Sequence, residues 1–245
     1  MRTLYGLLIF CFVAGLTTTA NASSLILSTN DPSVVNELGK AGQGWWSLDT
    51  PNISTNTNYS TGTSFNVSPG VNFSYRSFFT FDLDDPALQG KIITGAEIRL
   101  QAFIGTGFND GGLISFFDVS THALVLNNTV GIAPIAIWND LGSGSLYGTG
   151  LAISPTEIFP SDQLTFQLND SAIADLNNAV GGGLFSIAAT KDLREIFSGS
   201  VANGSQRLVL QISPAIPEPS TWAMLLIGFA GLTFAARSRA WRKTQ

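Results

Sequence analysis

The chain has 245 residues, 44% of them hydrophobic and 12% charged, with a mean hydropathy of +0.25 and a formal charge of −5. Charged residues make up about a quarter of an average soluble domain, so this composition points to a membrane protein or to an exported chain with apolar signals at its ends. Residues 23–216 hold seven Lys/Arg against sixteen Asp/Glu, a net charge of −9 without a basic stripe; this argues against nucleic acid or an anionic membrane surface as a partner of that region, because phosphate contacts need clustered Lys and Arg.

Residues 1–22 read as a secretory signal peptide. Arg2 supplies the positive start, Leu4–Leu16 the apolar run, and Ala20-Asn21-Ala22 a small-x-small cleavage site at Ala20 and Ala22. The apolar run is too short for the roughly 20 residues of a spanning helix. The single cysteine, Cys11, lies inside this run between Phe10 and Phe12. No small residues precede it, so it does not read as a lipoprotein acylation site. The processed chain has no thiol, and with it no disulfide, thiolate zinc site or cysteine nucleophile.

Residues 23–213 alternate as strands do. Phe79, Phe81 and Leu83 fall on one face; Ala96, Ile98, Leu100 and Ala102 alternate with Glu97, Arg99 and Gln101. Leu164, Phe166 and Leu168 repeat the pattern, as do Leu208, Leu210 and Ile212. One apolar and one polar face is the mark of antiparallel sheet. Turn residues recur at Asp84-Asp85-Pro86, Asn109-Asp110-Gly111-Gly112, Leu141-Gly142-Ser143-Gly144 and Gly181-Gly182-Gly183. Residues 171–179 break the period: Ile173, Leu176 and Val180 stand at helical spacing, with a cap among Asn169–Ser171 and Gly181 as the stop. The expected fold is all-β, an antiparallel, jelly-roll-like β-sandwich with one short helix. It is expected as one domain over 23–213, large enough to fold without disulfides.

Four groups of residues are candidates for chemistry in this domain. In a strand, Trp45 and Trp46 point to opposite faces, so one of them is available for stacking on a sugar ring. Asp82, Asp84 and Asp85 form the densest acidic cluster; it either solvates a turn or, with loop carbonyls, supplies the oxygen ligands of a calcium site. Arg76 and Arg99 are expected in weak cross-strand ion pairs. His122 is the only histidine and has no motif around it, so it is expected on a surface loop, and a three-histidine metal site is excluded. No nucleophile elbow, phosphate loop or dinucleotide fingerprint occurs. Sixteen acids make some carboxylate pair inevitable, so such a pair is weak evidence for glycoside hydrolysis. Sequons at Asn52 and Asn72 fit a polar, hydrated Ser/Thr/Asn-rich surface.

Residues 55–60, 65–67, 75–83 and 93–100, with the strand Arg76-Ser77-Phe78-Phe79-Thr80-Phe81-Asp82-Leu83 at their centre, resemble the DNRLRE-type extracellular β-sandwich modules. Those modules are related to carbohydrate-binding modules. The resemblance implies the fold more than a ligand, since no set of binding-face aromatics matches a motif. Residues 117–121 and 138–144 resemble a group of exported bacterial proteins of unknown role.

The C-terminus is a linker (214–221), an apolar stretch (222–236) and a basic end (237–245) with Arg237, Arg239, Arg242 and Lys243. Pro217 and Pro219 block helix and ladder bonding and hold Glu218 extended. The fifteen residues Trp222–Ala236 read as a hydrophobic anchor helix of roughly 22 Å, short of a ~30 Å hydrocarbon core. The arginines stay cytoplasmic under the positive-inside rule. Pro217-Glu218-Pro219-Ser220-Thr221-Trp222, the anchor and the arginines resemble the PEP-CTERM sorting signal. That resemblance implies an exosortase-type partner, an inner-membrane-anchored intermediate and delivery to the cell surface or extracellular matrix, in company with exopolysaccharide. The expected function is a non-catalytic structural or adhesive matrix protein. The alternatives are a carbohydrate-binding module with a defined sugar site and a secreted polysaccharide-cleaving enzyme.

Overall fold

The computed structural model describes residues 22–34, 42–53, 58–65, 70, 72–101, 112–128, 130–152, 163–192, 196–198, 206–215, 225–226 and 228–231. The chain divides between Ser213 and Pro214 into two compact units. The first is built of eleven described strands: β1 (Ser23–Ser28), β2 (Gln43–Trp46), β3 (Tyr59–Phe65), β4 (Asn72–Asp82), β5 (Lys91–Gln101), β6 (Leu113–Asp118), β7 (Leu146–Leu151), β8 (Gln163–Gln167), β9 (Leu184–Lys191), β10 (Ile196–Ser198) and β11 (Arg207–Pro214).

The strands form two antiparallel sheets. One has the order β1-β11-β5-β8; the other runs β10-β3-β4-β9-β6-β7, with β2 added on β4. The alternation expected from the sequence sets which faces meet. Leu27, Ala96, Ile98, Leu100, Leu164, Phe166, Leu208, Leu210 and Ile212 from the first sheet pack on Tyr59, Phe79, Phe81, Ile114, Phe116, Ile187 and Ala189 from the second. Within this layer Tyr59 meets Phe79 edge-on, ring centroids 5.2 Å apart. Burying each such side chain contributes roughly 1.5–3 kcal/mol. The fold is therefore an antiparallel β-sandwich.

A third layer covers the outer face of the larger sheet. Phe78, Trp46 and Ala188 lie there beneath Leu126, Ala133 and Leu141. These last residues come from α1 (Ala123–Asn127), α2 (Ile135–Asp140) and their connections. Strand β4 is thus buried on both faces over Ser77–Phe81, which explains its near-continuous apolar run. The helix expected at 171–179 is α3 (Asp170–Ala179), capped by Asn169, whose side chain accepts from Ala172 N at 3.1 Å. Ala172 and Leu176 bury its inner face, and the Asn177 amide clips it to both backbone groups of Ile93 at 2.8 Å. The chain then turns through Gly181 and Gly183, both at positive φ, where a Cβ would be strained. The sequence reading of one short helix is corrected: α1 and α2 are additional. With five and six residues they are too short to show a helical period.

Candidate functional site

Trp45 and Trp46 do diverge. Strand β2 pairs with β4 so that Trp45 stands opposite Ser77 and Trp46 opposite Arg76. Trp46 is 3% exposed and belongs to the outer-layer core, so it is unavailable for stacking in the folded protein. Trp45 is half-buried on the other face and meets Tyr75 edge-on, ring centroids 5.0 Å apart and planes at 89°. Its carbonyl accepts from the Asn52 amide at 2.8 Å. Asn52 is fully buried by this contact and by its bridge to Gly131, so it is a structural residue and not part of the hydrated surface. Nearby, Ser74 N donates to Asp49 Oδ2 at 3.4 Å. The result is a fixed aromatic corner, Trp45 with Tyr75.

The acidic cluster acquires a fourth member. Asp82, Asp84 and Asp85 line a surface pocket of about 190 Å³ together with Asp31, which reaches it from the turn after β1. Each turn uses carboxylates internally: Asp82 accepts from Asp84 N and Asp85 from Ala87 N, both at 2.8 Å. The Asp85 contact caps a 3-10 turn at Pro86–Leu88. Asp31 accepts from the Ser33 amide at 3.0 Å and its hydroxyl at 2.7 Å, and these bonds lower its pKa. Among the described residues no group of three or more His, Cys, Asp or Glu is arranged to hold a metal ion.

Arg76 and Arg99 depart from the expected cross-strand pairs. Arg99 pairs with Glu97, two residues away on its own strand, with Nε to Oε1 at 2.6 Å. Arg76 forms no ion pair among the described residues. Its Nη1 donates to the Trp138 carbonyl at 2.5 Å, and its guanidinium lies 4.4 Å from the Trp138 ring centroid. His122, expected on a loop, caps α1: its Nδ1 accepts from Leu124 N at 3.2 Å.

Two carboxylate arrangements gave no sequence signal, because their partners lie far apart in the chain. Asp140, at the end of α2, accepts from the amides and hydroxyls of both Ser120 and Thr121 at 2.5–3.3 Å. Burial alone would raise its pKa, but these four bonds outweigh it and the net shift is downward. The fully buried Tyr147 places its hydroxyl 3.1 Å from Asp118 Oδ1 and 2.9 Å from Asp175 Oδ2. Burial first, then these two acids, push the phenol well above its ordinary range. Both carboxylates sit around a phenol that is itself inside the core, so the arrangement ties β6, β7 and α3 together.

Of the residues expected at the processing sites, Ala22 is exposed immediately before β1, while Ala20, Pro217, Glu218 and Pro219 lie outside the described residues. The described part of the second unit is helical at 225–226 and 228–231, with Leu225, Leu226 and Phe229 exposed. Among the described residues no helix is long and apolar enough to cross a membrane.

Residues 215–240 match the PEP-CTERM protein-sorting motif. The motif marks an exported chain, processed by an exosortase-type enzyme and delivered to the cell surface or the extracellular space. No curated protein matches the sequence. Among solved structures, the K1 cleaved adhesin domain of Lys-gingipain from Porphyromonas gingivalis W83 is similar at 14% identity. The match covers 78% of this chain and 96% of that one, with a TM-score of 0.27.

Proposed function

We propose that this protein is a non-catalytic component of the cell surface or exopolysaccharide matrix, acting by adhesion or as matrix structure. The sorting motif at 215–240 is the observation that carries the reading, since it ties the fate of the sandwich to the exterior of the cell. The composition of residues 50–75 supports it: fifteen are Ser, Thr or Asn and none is charged. Where such residues are exposed they stay hydrated and hydrogen-bond to hydroxyls without demanding a counter-ion.

A second reading, a carbohydrate-binding module with a defined sugar site, is favoured by the corner formed by Trp45 and Tyr75. A flat apolar ring face beside polar groups suits a pyranose. Apart from that corner, toward the other end of β4, the pocket lined by Asp31, Asp82, Asp84 and Asp85 offers carboxylate oxygens of the kind calcium takes.

The test is co-sedimentation of residues 23–213 with the producing cell's own exopolysaccharide, in calcium and then in chelator. Saturable binding that survives in Trp45→Ala supports an adhesive surface without a single sugar site. Binding lost in Trp45→Ala supports the binding module, and loss with chelator supports a cation in the contact. Absence of binding in every condition overturns adhesion by the core and leaves a structural role.

A further inference from the structure

On the outer face of the larger sheet, Arg76 is a cation with no ion pair among the described residues. Arg76 is half-buried and fixed from three sides. The Trp138 carbonyl takes one Nη1 proton, the Trp138 ring covers the guanidinium, and Gly142 passes so close that a Cβ there would lie 2.7 Å from Nη1. A guanidinium carries five N–H donors in a planar fork. One of them goes to Trp138, and no carboxylate pairs with Arg76 among the described residues. Withdrawing a charge from water without a counter-charge costs free energy.

Directly across the β2–β4 ladder stands a second donor. Trp46 Nε1 is buried and has no hydrogen-bond partner among the described residues. Residues 119–139, which bring Trp138 onto this face, contain no Asp, Glu, Lys or Arg, and the flanking Asp140 is engaged by Ser120 and Thr121. The guanidinium is thus held still on this face, with no carboxylate on its fork among the described residues.

We infer that Arg76 is the docking point for a carboxylate of an acidic polysaccharide. The planar fork matches a planar carboxylate in two parallel hydrogen bonds, a geometry that lysine cannot reproduce. The inference rests on the proposed matrix role and names the chemical class of glycan that the core contacts. It places the acid-reading group on the face of the sheet opposite to Trp45, which pairs with Ser77 while Trp46 pairs with Arg76.

The test uses the full chain in detergent, retained on polygalacturonate-coupled or dextran-coupled beads. The wild type is expected to prefer polygalacturonate, and free galacturonate, but not galactose, is expected to release it. Arg76→Lys keeps the charge without the fork and is expected to bind at least about tenfold more weakly, as losing a charge-assisted hydrogen bond implies. Gly142→Ala, which pushes the guanidinium aside while leaving Arg76 in place, is expected to do the same. If an Arg76 variant fails to fold, competition on the wild type still decides: release by galactose and galacturonate alike overturns the inference. Equal retention of wild type and Arg76→Lys also overturns it. Binding to dextran but not to polygalacturonate overturns it while leaving the matrix reading intact, and binding to neither overturns both.

Discussion

Ser23 and Ile212 are paired across the β1–β11 ladder, so the first residue of the first strand and the last strand before the sorting motif share one end of one sheet. Strand β11 lies between β1 and β5, and its Leu208, Leu210 and Ile212 are buried. The sandwich is thus closed by its last strand, and the sorting tail begins after closure. Removing residues 214–245 should leave the melting temperature of the core unchanged. Ending the chain at Gln206 should abolish folding, because four buried aliphatics, Leu208, Val209, Leu210 and Ile212, at about 2–5 kcal/mol each rival the whole stability of a domain. Circular dichroism and calorimetry of the two truncations check this; a folded chain lacking β11 would contradict it.

Trp45 and Trp46 should separate cleanly in unfolding experiments. Trp46→Ala opens a cavity in the outer-layer core and is expected to cost about 3–5 kcal/mol. Trp45→Ala removes a half-buried ring at the Tyr75 corner and is expected to cost under about half of that, since less area is withdrawn from water. Urea denaturation with both variants measures the difference; equal costs would contradict the assignment of faces.

The sandwich was legible because its inner face obeys the strand period: Phe79, Phe81 and Leu83, or Leu208, Leu210 and Ile212, read directly as one buried side. The outer layer was not. Phe78 is covered by Leu126, Ala133 and Leu141, residues supplied by short helices whose caps are His122 and Pro134, neither a strong start signal. The same layer explains the misread Arg76: it sits in a strand, where a cross-strand acid is the natural partner, but its neighbour Trp138 arrives from α2. Of the aspartate pocket, the run at 82–85 was visible, whereas Asp31 joins it only through the pairing of distant turns. The tail was legible in full as a motif, because its order of proline motif, apolar stretch and basic end does not depend on folding.

Tyr147→Phe removes the one hydroxyl shared by Asp118 and Asp175. The two carboxylates lose their common donor while the ring keeps its packing. An expected loss of about 1–3 kcal/mol follows from leaving a polar partner unsatisfied. Chemical denaturation of the variant checks it, and a neutral or stabilising effect would show that the hydroxyl does not tie β6 to α3.

Asp140 gives the outer layer an acid limit. Its folded pKa lies below the ordinary range of an aspartate, so its contribution is present above that range and lost as pH falls through the folded value. Asp140→Asn should lower stability near neutral pH by about 1 kcal/mol, as for loss of a cap, and should flatten the acid limb of the stability profile. Melting curves from pH 7 to pH 2 for both proteins measure this; identical acid limbs would contradict the role given to the Ser120 and Thr121 bonds.

The central claim is that the chain is exported and processed at both ends around a folded core. Peptide mapping by mass spectrometry of the protein recovered from the cell envelope and the medium tests it most directly. The account predicts an amino terminus at Ser23 and loss of the apolar stretch Trp222–Ala236, with that stretch retained when Pro217-Glu218-Pro219 is replaced by alanines. A chain recovered with residues 1–22 and 222–245 intact, and unaffected by the replacement, would contradict it.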